Sequence, residues 1–201
     1  MIVGDREIGQ MMASDKRVPL VSATGSTRMG KSVAETVGKR LGKTILELGG
    51  NNAVIMTPNA DIPMAIASTV FGTVGTAGQR CTTTRRNIIH EDIYDEVRDK
   101  FVSAYEKIVP KIGNPLDENY LVGPLIDRGS VDLFLNAVDQ VQKEGGKVLF
   151  GGTVMEGEGF ESGNYVMPCI AEAENHYEIV QEETFAPIVY LIKYSGDINN
   201  A

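Results

Sequence analysis

The chain has 201 residues, 42% of them hydrophobic and 23% charged, with a formal net charge of −8. That is the make-up of a globular protein, one large domain or one domain plus part of another. The acidic balance argues against a nucleic-acid binder and against docking on anionic membranes, and no apolar run reaches the length of a membrane span.

Short apolar strands alternate with amphipathic helices, which predicts an α/β fold. Residues 1–4 have the character of the tail of a strand. Asp5 is placed to cap a helix over 5–14, and 17–22 is a short apolar strand. The turn Thr24-Gly25-Ser26 leads into a helix over 27–41 that Gly42 stops. Strands follow at 44–48 and 52–56. Asp61 caps a helix with Pro63 in its first turn, running to about Gly72. Residues 75–80 form a loop and 86–90 a strand. Residues 92–109 form an amphipathic helix with Ile93, Val97, Phe101, Ala104, Tyr105 and Ile108 on one face. A loop then leads to a helix over 129–144, a strand at 147–150, a glycine-rich connector over 151–164, and strands at 165–170 and 188–193. The abrupt start, and an end soon after a good strand, suggest a protein truncated at both ends.

No basic segment followed by an apolar core marks a secretory leader. The expected compartment is therefore the cytoplasm, where Cys81 and Cys169 stay reduced. These cysteines and His90 and His176 show no zinc-type spacing, so no metal is expected.

Four segments carry candidate chemistry. Cys81 follows Gly75-Thr76-Ala77-Gly78-Gln79-Arg80. A thiol becomes nucleophilic where its thiolate is favoured, as beside an arginine, and a backbone N–H at a glycine-rich turn can hold an oxyanion. A buried, inert cysteine is the competing reading. Glu47 sits in Leu46-Glu47-Leu48-Gly49-Gly50. Strand alternation puts Thr44, Leu46 and Leu48 on one face and Ile45, Glu47 and Gly49 on the other. A carboxylate there suits a general base if buried, and a solvated strand end if not. Thr24 to Gly30 has the strand, glycine turn and helix start of an anion site, although N-capping by Ser26 explains it equally well. Gln181 to Pro187 (QEETFAP) is, alone, a polar turn before a strand.

Together and in this order, the four segments resemble the aldehyde dehydrogenase superfamily. LELGG is similar to its glutamate signature, GQRC to its cysteine signature, TGST…G to its cofactor turn and EETFAP to a further family segment. The resemblance implies an aldehyde dehydrogenase-like three-layer α/β sandwich. Residues 1–48 would be the C-terminal part of the dinucleotide-binding domain, and 49–201 an incomplete catalytic domain. It implies Cys81 as nucleophile, with its own N–H on the oxyanion, and Glu47 as the base that hydrolyses the thioester. Gly25, Ser26, Gly30, Leu48, Gly49, Glu183 and Phe185 would lie at the cofactor, Glu183 on the nicotinamide ribose and Phe185 beside the nicotinamide. The expected cofactor is NAD, with NADP left open because the deciding residues precede position 1.

Asn51-Asn52 and GTAGQRCTT further resemble the antiquitin group, where most other relatives carry a small residue in place of Thr83. That likeness implies α-aminoadipic semialdehyde as substrate and Arg80 as the contact to its charged end. Ala23 departs from the usual Phe, and Ala186 from the Gly of many relatives. The resemblance also implies a homodimeric or homotetrameric parent, no nucleic-acid or membrane partner, and an isolated segment without activity. A CoA-acylating dehydrogenase, which Glu47 argues against, and a non-enzymatic interaction protein are the alternatives.

Overall fold

Asp5 accepts the Glu7 N–H at 3.0 Å and starts α1 (Arg6–Ser14). In the computed structural model, which describes residues 1–201, the chain forms two units, Met1–Gly49 and Gly50–Ala201. The first continues with β1 (Leu20–Thr24), α2 (Thr27–Gly38) and β2 (Lys43–Glu47). The strands pair in parallel from Leu20↔Lys43 to Thr24↔Glu47. Parallel neighbours need a crossover, and α2 supplies it. The alternation expected in β2 holds: Thr44, Leu46 and Leu48 are half-buried, while Ile45, Glu47 and Gly49 are exposed.

The second unit holds one five-stranded sheet in the order β3-β4-β7-β6-β5. Its strands are β3 (Asn52–Met56), β4 (Thr84–His90), β5 (Lys147–Phe150), β6 (Cys169–Glu172) and β7 (Ile188–Tyr194). All pairs are parallel except β5 with β6. Consecutive residues of β4, β6 and β7 are buried, so the sheet is covered on both faces, as parallel sheets are. Helices α3 (Ile62–Val74), α4 (Glu91–Ile108), α5 (Arg128–Lys143) and the single turn α6 (Glu178–Gln181) complete the unit. Val97, Phe101 and Tyr105 of α4 are buried with Ile93, Ala104 and Ile108 packed beside them, the face that the 3.6-residue periodicity marks. No helix is long and apolar enough to cross a membrane.

Several boundaries differ from the sequence expectation for identifiable reasons. Residues 1–4 form no strand; they are exposed and have no ladder to join. The first strand begins at Leu20, not at 17, because Arg17 is drawn into a turn by bonds to Asp15. α2 ends at Gly38, not at 41. The Gly42 N–H reaches back to the Val37 carbonyl at 3.0 Å and the Leu41 N–H to Gly38, so the left-handed residue of this C-cap is Leu41 (φ 58°), one before the glycine. β6 starts at Cys169, not at 165. Pro168 has no N–H to give a ladder, and upstream of it only Val166 forms a bridge, to Val154. α6 carried too short a pattern to be seen.

Candidate active site

The loop before Cys81 is built by an unusual backbone. Beyond Val74 the chain makes a 3-10 turn over Gly75–Gly78 in which Thr76, Ala77 and Gly78 all have positive φ (54°, 51° and 69°). Left-handed backbone costs a non-glycine residue about 1–2 kcal/mol, so the surroundings must hold it. They do. A Cβ on Gly78 would lie 2.4 Å from the Ala186 carbonyl carbon and oxygen, so this position admits only glycine. Gln79 receives the Ile126 N–H at 2.9 Å and donates to the Thr76 carbonyl.

The tight turn 80–83 follows, closed by the Thr83 N–H on the Arg80 carbonyl at 3.1 Å and the Arg80 N–H on Thr83 Oγ1 at 3.2 Å. Cys81 sits in this turn, exposed and free of disulfide. Its N–H has no acceptor in the chain. Its carbonyl is pinned: Asn52 Nδ2 donates to it at 2.7 Å and to the Thr83 carbonyl at 2.9 Å. Gly50 lies so close that a Cβ there would stand 2.8 Å from the Cys81 oxygen. The competing buried reading describes the other cysteine. Cys169 is wholly buried, and burial pushes its thiol up to about 12.

Arg80 is half-buried. Its Nε donates to Thr76 Oγ1 at 2.8 Å and its guanidinium lies 5.5 Å from the centre of the Phe71 ring. No carboxylate pairs with it.

The residue that sequence reading passed over is Arg85. It is 1% exposed, yet charged. Its Nε donates to the Gly50 carbonyl at 3.4 Å and its Nη1 to the Thr184 carbonyl. Its Nη2 reaches the carbonyls of Gly78 (3.4 Å) and Arg80 (3.2 Å) and Glu183 Oε1 (3.4 Å). The Phe185 ring centre lies 5.6 Å away. Burial lowers the affinity of Arg85 for its proton and Glu183 opposes that effect. Glu183 Oε1 also accepts the Gly50 N–H at 3.1 Å, which leaves Oε2 open. Phe185 is 43% exposed. The available signal was an arginine at the edge of a short strand that contains Ile88 and Ile89; placing that strand at 86–90 left Arg85 in a loop.

In the first unit Ser26 is the N-cap of α2, its Oγ accepting the Met29 N–H at 3.1 Å while its carbonyl takes the Gly30 N–H. The N–H groups of Thr27 and Arg28 remain without an acceptor in the chain. Beside them is a cavity of about 520 Å³ lined by Arg6, Gln10, Ala23, Ser26, Arg28 and Ser32 among others. Free N–H groups, a helix N-terminus and two arginines suit an anionic group such as a pyrophosphate. Gly25 follows β1, its N–H on the Glu47 carbonyl at 3.0 Å. Gly30 has a packing role: a Cβ there would stand 2.5 Å from both Leu48 methyls. Glu47 ends β2 with its side chain exposed, so the buried carboxylate considered from the strand pattern is not what the structure shows. Gly49 is exposed and Leu48 half-buried.

The thiol on its hydrogen-bonded turn and the helix-start cavity lie within the segments that resemble aldehyde dehydrogenase signatures. The model of the aldehyde dehydrogenase family matches residues 1–201, and the chain belongs to that family. It is 49% identical over 195 residues to the alpha-aminoadipic semialdehyde dehydrogenase of Bos taurus, covering 96% of this chain and 35% of the relative. It is 47% identical over 193 residues to aldehyde dehydrogenase family 7 member A1 of Pisum sativum, covering 96% and 37%. Among solved structures, the betaine aldehyde dehydrogenase of Staphylococcus aureus in complex with NAD+ superposes with a TM-score of 0.92 at 28% identity, covering 97% of this chain and 39% of that one. The chain thus spans little more than a third of the length of the relatives it matches.

Proposed function

We propose that this chain supplies the nucleophile, the hydrolytic base and part of the cofactor site of an NAD-dependent dehydrogenase that oxidises α-aminoadipic semialdehyde to the acid. The observation that carries the reading is Cys81: an exposed free thiol whose carbonyl is clamped by Asn52 and whose own N–H is unengaged. The Cys81 thiolate adds to the aldehyde carbon, and its N–H donates to the oxyanion that forms. A bound NAD+, held by the Ser26 helix start, Glu183 and Phe185, would supply the two-electron oxidant that accepts hydride from that carbon, so that Cys81 carries a thioester. Glu47, exposed at the end of its strand, accepts a proton from water. The water oxygen attacks the thioester, the C–S bond breaks and the thiolate returns as the acid leaves.

The first unit fits the cofactor: Ser26 starts the helix whose free N–H groups receive the pyrophosphate, beside Gly25, with Gly30, Leu48 and Gly49 shaping the same end of the unit. Glu183 presents its open Oε2 to the ribose, and Phe185 offers an exposed ring to the nicotinamide. The substrate assignment rests on the relatives named for that semialdehyde and on Arg80, whose guanidinium has no carboxylate partner in the chain and suits the carboxylate end of a semialdehyde acid.

The test is NADH formation by the longest protein that the gene encodes, with this semialdehyde and with aldehydes lacking the carboxylate. Cys81→Ala is expected to lose about 10³-fold or more in turnover. Arg80→Gln is expected to raise KM for the carboxylated aldehyde and leave that for an uncharged one. Free acid, unaffected by added coenzyme A, is the expected product. Full activity of Cys81→Ala would overturn the mechanism.

A further inference from the structure

Arg85 is the one fully buried charge in the second unit, and each of its three side-chain nitrogens meets at least one acceptor. A guanidinium has five N–H groups in a fixed fork. Five acceptors surround the fork: the Gly50 carbonyl at Nε, the Thr184 carbonyl at Nη1, and the Gly78 and Arg80 carbonyls and Glu183 Oε1, which share Nη2. These fall in three stretches of chain. Gly78 precedes, and Arg80 begins, the turn that presents Cys81. Gly50 follows directly on the first unit and presses on the Cys81 carbonyl. Glu183 and Thr184 belong to the segment proposed for the cofactor ribose, and the ring of Phe185, proposed to lie beside the nicotinamide, is centred 5.6 Å from the same guanidinium. An uncharged residue would leave several buried carbonyls without donors. A lysine, with three donors on a flexible stem, lacks the fork.

We propose that Arg85 is a positioning residue that couples the carboxylate of Glu183 to the turn carrying Cys81, so that the placement of the cofactor-side groups and of the sulfur is set together. This deepens the functional reading above and rests on it for the role of Glu183. Arg85 is buried with its hydrogen bonds spent on protein groups, and it acts through the segments it ties. A change at Glu183, which makes no hydrogen bond to Cys81, is then felt at the sulfur by way of Arg85, beside the links through Gly50 and through the packing of Gly78 on Ala186.

The test uses no aldehyde and no cofactor, so its failure is separate from failure of the dehydrogenase reading. The rate of Cys81 alkylation by iodoacetamide is followed by peptide mass spectrometry in the wild type, Glu183→Gln, Arg85→Lys and the double variant. Glutamine still offers Gly50 an acceptor but removes the charge. Glu183→Gln is expected to change the alkylation rate roughly tenfold in the wild-type background, and by less than about twofold in Arg85→Lys, which is the signature of coupled neighbours. In the active protein Arg85→Lys is expected to raise KM for NAD+ and lower kcat together, a split that simple loss of stability does not produce. The buried Cys169 reports integrity, because its alkylation marks an unfolded variant. If Arg85→Lys exposes Cys169, Glu183→Gln alone decides, and no change at Cys81 overturns the proposal. So does an equal effect of Glu183→Gln in both backgrounds.

Discussion

Asn52 shows how much of a nucleophile's geometry is set by residues that do no chemistry. Its amide holds two carbonyls of the turn that carries Cys81, at 2.7 and 2.9 Å. Asn52→Asp puts an acceptor against those oxygens and is expected to lower kcat/KM by about 10²-fold, since small displacements of a reacting group carry that penalty. The check is steady-state kinetics beside thermal melting, with only a small shift in Tm because the side chain is exposed. The two cysteines make a second prediction at this scale. Burial holds the Cys169 thiol up to about 12, above the about 8.5 of a free cysteine. The folded state therefore keeps this proton longer than the unfolded chain. That contribution to stability is whole below about pH 8.5 and is withdrawn as pH rises towards 12. Native protein at pH 8 is expected to label at Cys81 alone, with Cys169 labelling only in denaturant. Cys81 and Glu47 were visible in the sequence because polar chemistry inside glycine-rich or apolar surroundings stands out. Arg85 was not, because its worth lies in carbonyls contributed by residues 50, 78 and 184, which no local pattern reveals.

At the scale of elements, the loop before Cys81 is the most constrained piece of backbone in the chain. Three successive left-handed residues are tolerated because Gly78 packs directly on the Ala186–Pro187 backbone. Gly78→Ala is expected to cost at least about 1–2 kcal/mol from its φ alone, and more from the 2.4 Å contact. A lowered Tm and loss of Cys81 reactivity would check it; an unchanged melting curve would contradict the geometry. Element positions were largely legible from the 3.6 and 2.0 periodicities, as the buried face of α4 and the alternation of β2 show. What was missed is local. Leu41 takes the left-handed cap position in place of Gly42, Pro168 displaces a strand, and α6 is a single turn. In each case a specific backbone bond overrides a residue preference.

At the scale of the whole molecule, the two units differ in how much they bury. In Met1–Gly49 only Ala13, Gly30 and Val37 are buried, and Leu20 and Ile45 of its two strands are about half exposed. The second unit carries a continuous core from α3, α4 and α5 to the central strands. Opening free energy tracks buried apolar contact. Amides of β1 and β2 are therefore expected to exchange with solvent well before those of β4 and β7 in native-state hydrogen exchange, and equal protection would refute the difference. The exposed apolar edges also predict that the 201-residue polypeptide associates with itself as concentration rises, which sedimentation would show.

The central claim is that Cys81 forms the covalent intermediate and Glu47 resolves it. The most direct measurement is a single-turnover experiment on the Glu47→Gln variant of the active protein with the semialdehyde and NAD+, read by NADH absorbance and intact mass. The account predicts one rapid equivalent of NADH, no steady turnover, and an acyl group retained on Cys81. Sustained turnover at the wild-type rate, or a burst with no adduct on Cys81, would contradict it.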